Sequence, residues 1–173
     1  RRALELRPKW PEAAAQLAAL AIESGDLEGA EEVLEAWSAD QPEDAERLFL
    51  AGCLAHEKGE LEAAVDFFEH AIAGACQSDA EARLGSVLVR LGRLEEAKAA
   101  AHQALERDPE DARAHNTLGN LAMIGGDPAR AEPAFRRARE FEPANPIAWR
   151  NLGDALLRQG QHAAAREIFA ELA

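Results

Sequence analysis

The sequence predicts an all-α chain, a solenoid of antiparallel helix pairs, on three observations. Glycines recur at Gly25, Gly59, Gly92, Gly126 and Gly160, spaced 34, 33, 34 and 34 residues apart; a period of that size marks stacked supersecondary units. Hydrophobic residues make up 47% of the 173, yet only 5% are aromatic and none is Tyr. Much of the apolar fraction is therefore Ala, a strong helix former of small volume that suits closely packed helices. Finally, no β-branched run alternates with polar residues over the length of a strand.

The elements follow from the columns around these glycines, as a single array over 1–173. Residues 1–8, "RRALELRP", align Ala3 with Ala71, Ala104 and Ala138, and Pro8 with Pro42, Pro109 and Pro143. They read as the tail of a second helix whose unit precedes the chain. Five units follow at 11–44, 45–77, 78–111, 112–145 and 146–173, the last cut before its closing proline. In each, a first helix runs up to the glycine, which takes the left-handed conformation that closes a helix. A second helix then starts near "DLEGA", "ELEAA", "RLEEA", "DPARA" or "QHAAA". Asp26 and Asp127 are expected N-caps, and Pro128 falls at the first helical position, where a missing N–H costs nothing. Pro42, Pro109 and Pro143 stop the second helices. Seven residues before each glycine stands Ala18, Gly52, Gly85, Gly119 or Gly153, and five after it Ala30, Ala64, Ala97, Ala131 or Ala165. These small residues let the two backbones of a pair approach closely.

Three departures carry their own expectations. Trp37 occupies the column of Ala71, Ala104 and Ala138, so the first pair must open there or turn the ring outward. The second unit is one residue short near "AGACQSDA", with Cys76 where other junctions have proline, and an altered angle is expected between units two and three. Pro133 lies beyond the first turn of its helix, which predicts a kink or a late helix start.

The last unit carries Trp149, Leu152, Gly153 and Leu156, then Ala165 and Phe169; Ala64 with Phe68 and Ala131 with Phe135 repeat its second half. This resembles the tetratricopeptide repeat (TPR), W-x2-L-G-x2-aromatic followed by A-x3-F, with Leu156 in place of the second aromatic. The resemblance covers essentially the whole chain. It implies a right-handed superhelix in which first helices line a concave groove and second helices form the convex back. The implied groove is Arg- and Asn-rich from unit three onward: Arg83, Arg90, Arg113, Asn116, Asn120, Arg150, Asn151 and Arg158. Phe49 and Leu50, with Cys53, form an apolar patch in unit two. Arg holds carboxylates bidentately and Asn pairs with both groups of an extended peptide backbone. A protein or peptide ligand with acidic side chains or a free C-terminus suits that half. The Lys/Asn/Asn/Lys/Arg clamp of chaperone-binding members is incomplete in every register, since only Lys9, Lys58 and Lys98 exist.

Charge and motif content exclude other classes. Residues 1–80 carry 18 acids and 6 bases, and residues 81–173 carry 14 acids and 13 bases, giving a net of −13. A long acidic surface repels phosphate, so nucleic acid is excluded as a partner. The longest nearly apolar run, Ala13 to Ile22, is too short to span a bilayer. The five histidines show no metal spacing, and no nucleophile elbow, P-loop or GxGxxG occurs. No catalytic residue, metal or cofactor is expected, and Cys53 and Cys76 read as unpaired thiols. The expected role is a protein–protein interaction scaffold. The alternative is an accessory TPR segment of a larger bacterial enzyme, of glycosyltransferase or sulfotransferase type, or of a secretion, polysaccharide-export or pilus-assembly protein. Self-association is a third option, because Ile168, Phe169 and Leu172 lack a following helix to cover them. The compartment stays open, with a cytoplasmic one favoured over a periplasmic one.

Overall fold

The computed structural model describes residues 11–39, 41–74 and 77–171. Among them are ten α-helices and no strand: α1 Pro11–Ser24, α2 Leu27–Ser38, α3 Ala45–Lys58, α4 Leu61–Ile72, α5 Gln77–Arg90, α6 Leu94–Arg107, α7 Ala112–Ile124, α8 Pro128–Phe141, α9 Pro146–Arg158 and α10 His162–Glu171. The "RRALELRP" segment, Cys76 and Leu172 lie outside the described residues, as does part of the shortened junction. The chain divides into two compact units, the first reaching to Ala80 and the second starting at Glu81.

The same device joins the two helices of every pair. Gly25, Gly59, Gly92, Gly126 and Gly160 all take a positive φ of 75–80°, as the column predicts. After Gly25, the Asp26 N–H donates to Ala21 O at 2.9 Å while Gly25 N–H donates to Ile22 O at 3.1 Å. This double return satisfies carbonyls that a helix end otherwise leaves open. It recurs as Glu60 to Ala55, Arg93 to Leu88, Asp127 to Ala122 and Gln161 to Leu156. The second helix then begins two residues past each glycine, so one residue both closes the first helix and opens the next. Asp26 and Asp127 cap as expected, accepting from Gly29 N–H at 3.0 Å and Arg130 N–H at 2.9 Å. Asp44, Asp111 and Asn145 do the same for the first helices α3, α7 and α9.

In the first unit the core joins α1, α2 and α3 through Ala14, Ala18, Ala30, Leu34, Trp37, Leu50 and Leu54. The Trp37 ring is not turned outward: it is 4% exposed, and its Nε1–H reaches Gln41 Oε1 at 3.4 Å. The alanines of α1 leave the volume an indole needs, and its apolar area is worth more buried than solvated. In the second unit, Phe135, Leu152, Leu156 and Ile168 share one cluster, while Ala82, Ala101, Ala104 and Ala114 pack α5 to α7. Ile168, expected to lie uncovered, is buried in its own pair; Phe169 beside it is half-buried.

At three of its five positions the small-residue column forms a ring socket. A Cβ on Gly52, Gly119 or Gly153 would stand 2.4–2.6 Å from the ring of Phe68, Phe135 or Phe169 respectively. Where the ring column holds Ala101 instead, Gly85 faces the backbone of Ala97 and Ala101.

Pro133 neither delays nor interrupts its helix, since α8 starts at Pro128 and runs through it. The Asp127 cap and Pro128 fix the start, and Pro133 and Ala129 are both exposed. Water therefore solvates the carbonyl that Pro133 leaves without an N–H partner. Pro133→Ala restores that bond and is expected to raise stability by up to about 3 kcal/mol. A denaturant midpoint that stays put or falls would show that contacts of the ring compensate.

Candidate functional site

In the second unit, the first helices α5, α7 and α9 are brought together by side-chain hydrogen bonds. Ser86 Oγ lies 3.3 Å from Thr117 Oγ1, linking α5 to α7 at a point where Thr117 is 1% exposed. Asn116 and Asn120, one turn apart on α7, both accept from Asn151 Nδ2 on α9, at 2.8 and 3.4 Å. The three amides are half-buried. Each carries both a donor and an acceptor, the two functions an extended peptide backbone presents.

Beside this ladder opens a cavity of about 440 Å³, lined by Asn120, Asn151, Asp154 and Arg158 with Met123 and Leu157. Leu157 is 42% exposed and supplies an apolar ledge. The cleft thus joins amides, one acid, one guanidinium and apolar surface, the means of holding a chain of mixed polarity. Its lining gathers Asn120, Asn151 and Arg158 from the sequence-predicted residues, and Asn116, outside the lining, accepts from Asn151. Arg83, Arg90, Arg113 and Arg150 do not enter that lining; Arg83 is half-buried and the other three are exposed on the same first helices.

The supporting frame is polar as well. Gln159, just past α9, donates to Glu132 Oε2 at 2.9 Å and to Pro128 O at 3.1 Å. That Gln159 bond, followed by those of Arg136 and Gln161, holds the Glu132 carboxyl below its ordinary range despite partial burial. Burial pushes the Asp111 carboxyl up, opposed by the Ala114 N–H it accepts from as the cap of α7. Glu81 of α5 was not marked by sequence reasoning, yet it is 2% exposed. Both its oxygens accept from Arg107 Nε of α6, at 3.1 and 2.9 Å.

In the first unit the expected apolar patch is largely corrected. Leu50 and Cys53 are 8% and 4% exposed, because Leu50 belongs to the core against α1 and α2. Phe49 alone of the three reaches the surface, half-buried, its ring 6.0 Å from that of Phe68. Among the described residues, no group of three or more His, Cys, Asp or Glu could hold a metal ion, and no helix is long and apolar enough to cross a membrane.

Comparison with known proteins follows the same repeat. Family models described as tetratricopeptide repeat match residues 82–142 and 117–173, residues 1–51, and residues 45–73. The chain is 36% identical over 78 residues to the human tetratricopeptide repeat protein 7A, covering 45% of this chain and 9% of that protein's length. Its fold is similar to that of PilW, a type IV pilus biogenesis factor, with a TM-score of 0.83 at 20% identity over 99% of this chain and 80% of that one. It is also similar to YrrB, a TPR protein with an unusual peptide-binding site, with a TM-score of 0.65 at 24% identity over 99% of this chain and 89% of that one.

Proposed function

The chain belongs to the tetratricopeptide repeat family, and from that premise we propose that it is a protein–protein interaction scaffold that holds an extended peptide or partner segment on the first-helix face of its second unit. The observation that carries this reading is the Asn116–Asn120–Asn151 ladder beside the Arg158 cleft. Half-buried amides already held in place lose little freedom on binding, which raises their value to a ligand. Arg83, Arg90, Arg113 and Arg150 extend the face and suit a segment with acidic side chains or a free C-terminus. The role is binding rather than catalysis, the use generally made of this fold. YrrB, with its peptide-binding site, and PilW, a pilus biogenesis factor, support the reading by likeness of fold. The PilW likeness also favours a second form of it, in which the ligand is a component of a larger assembly such as a pilus-building machine. Affinity capture with the wild-type chain and with Asn151→Ala/Arg158→Glu tests the proposal: the variant should lose the partner while keeping its helical circular dichroism.

A further inference from the structure

Twelve residues before each glycine of the repeat stand Ala13, Arg47, Ala80, Ala114 and Ala148. Ala80, Ala114 and Ala148 are at most 2% exposed, and Arg47 in the same column is 8% exposed. A guanidinium therefore occupies a place built for a methyl group. Its Nη2 donates to Pro42 O, but its buried Nε has no hydrogen-bond partner among the described residues. An unmet buried donor on a charged group is costly, and the cost falls away when an acceptor arrives.

Two cavities of about 260 and 380 Å³ flank this side chain, and both are lined by Arg47 and Phe67. They lie between the second helices α2 and α4, the α2–α3 connection and the side of α3 that carries Arg47, Leu48, Ala51 and Lys58, and Phe49 lines neither. Glu31, Glu35 and Glu60 line the first and Glu43 and Asp66 the second, five carboxylates against the two cations Arg47 and Lys58. Lys58 is already held by Glu31 at 2.7 Å. The acceptor Arg47 lacks must therefore come through a negative rim. A free carboxylate or phosphate is repelled there. A neutral main-chain carbonyl is not, and a cationic side chain next to it is attracted.

We propose that this cleft between α2, α3 and α4 of the first unit docks a basic peptide segment of a partner protein. A main-chain carbonyl of the segment accepts from Arg47 Nε, Lys or Arg side chains meet Glu35, Glu60, Glu43 and Asp66, and Phe67 packs against their stems. The surface is separate from the Asn ladder and takes a ligand of opposite charge, so the two readings stand or fall independently.

An acetylated, amidated hexapeptide of alternating Lys and Leu, with its Glu/Leu counterpart as control, tests this by NMR on the isotope-labelled full chain. The Lys peptide is expected to shift the Arg47 Nε–H resonance and the Glu peptide to leave it in place. Arg47→Ala, which restores the residue found at Ala80, Ala114 and Ala148, should weaken the Lys peptide roughly 10- to 100-fold. Glu35→Gln/Asp66→Asn, at exposed positions, should also weaken it while leaving the melting temperature unchanged. Asn151→Ala/Arg158→Glu should have no effect on it. Equal affinity for wild type and both rim and Arg47 variants, preference for the Glu peptide, or no shift with either peptide at millimolar concentration would overturn the proposal.

Discussion

Phe135→Ala is expected to lower the stability of the chain by about 3–5 kcal/mol, the range for removing a fully buried aromatic ring. Phe135 is 0% exposed and packs with Ala131, Leu152 and Leu156 at the centre of the second unit. Its ring fills the space that the absent side chain of Gly119 leaves, and a Cβ there would come within 2.4 Å. Gly119→Ala should accordingly cost about 1–3 kcal/mol by overpacking. Residues in direct contact couple, so Gly119→Ala combined with Phe135→Leu should cost clearly less than the two changes summed. Urea unfolding of the four proteins reads this from the midpoints at unchanged slope. Strict additivity would mean that the ring and the glycine do not meet.

Arg107→Ala is the second large effect, near the lower end of about 3–5 kcal/mol, because it strands a buried carboxylate. The Glu81 side chain is 3% exposed and both its oxygens rest on Arg107 Nε, whereas the Arg107 side chain is 46% exposed. The exposure of Arg107 lets water replace part of the lost contact, which sets the effect at the low end. The paired change Arg107→Met/Glu81→Leu should recover most of the loss, since apolar groups of similar volume need no partner. If Arg107→Ala alone leaves the unfolding midpoint within experimental scatter, Glu81 finds another donor and the bond is not a structural requirement.

Repetition made the backbone legible in the sequence. The glycine column fixes five left-handed turns, and the residue after each glycine closes one helix and opens the next. Side-chain placement was legible only where columns repeat. The small column predicts close approach of backbones, which holds at Gly85 against Ala97 and Ala101, whereas at Gly52, Gly119 and Gly153 it seats the rings of Phe68, Phe135 and Phe169. Trp37 breaks its column, and its fate depended on the alanines of α1, which a helical period does not weigh. The family groove places Leu50 on a surface, yet its position on α3 turns it into the core. Pro133 does not delay its helix, because the Asp127 cap and Pro128 at the first position fix where α8 begins. Of the candidate site, the asparagines were visible as residues but their mutual hydrogen bonds were not. Arg47 carried a readable signal, a lone arginine in an alanine column, while the burial of Glu81 had none.

Asn151 and Arg158 share one cleft on the first-helix face of the second unit, the surface proposed to hold the partner. The most direct measurement is the affinity of the captured partner for wild type and for Asn151→Ala/Arg158→Glu, with circular dichroism and thermal melting run on both. Loss of two hydrogen-bonding anchors with reversal of one charge should weaken binding by roughly 100-fold or more while the helical signal stays unchanged. Undiminished binding by a variant that remains fully helical would place the partner elsewhere on the molecule.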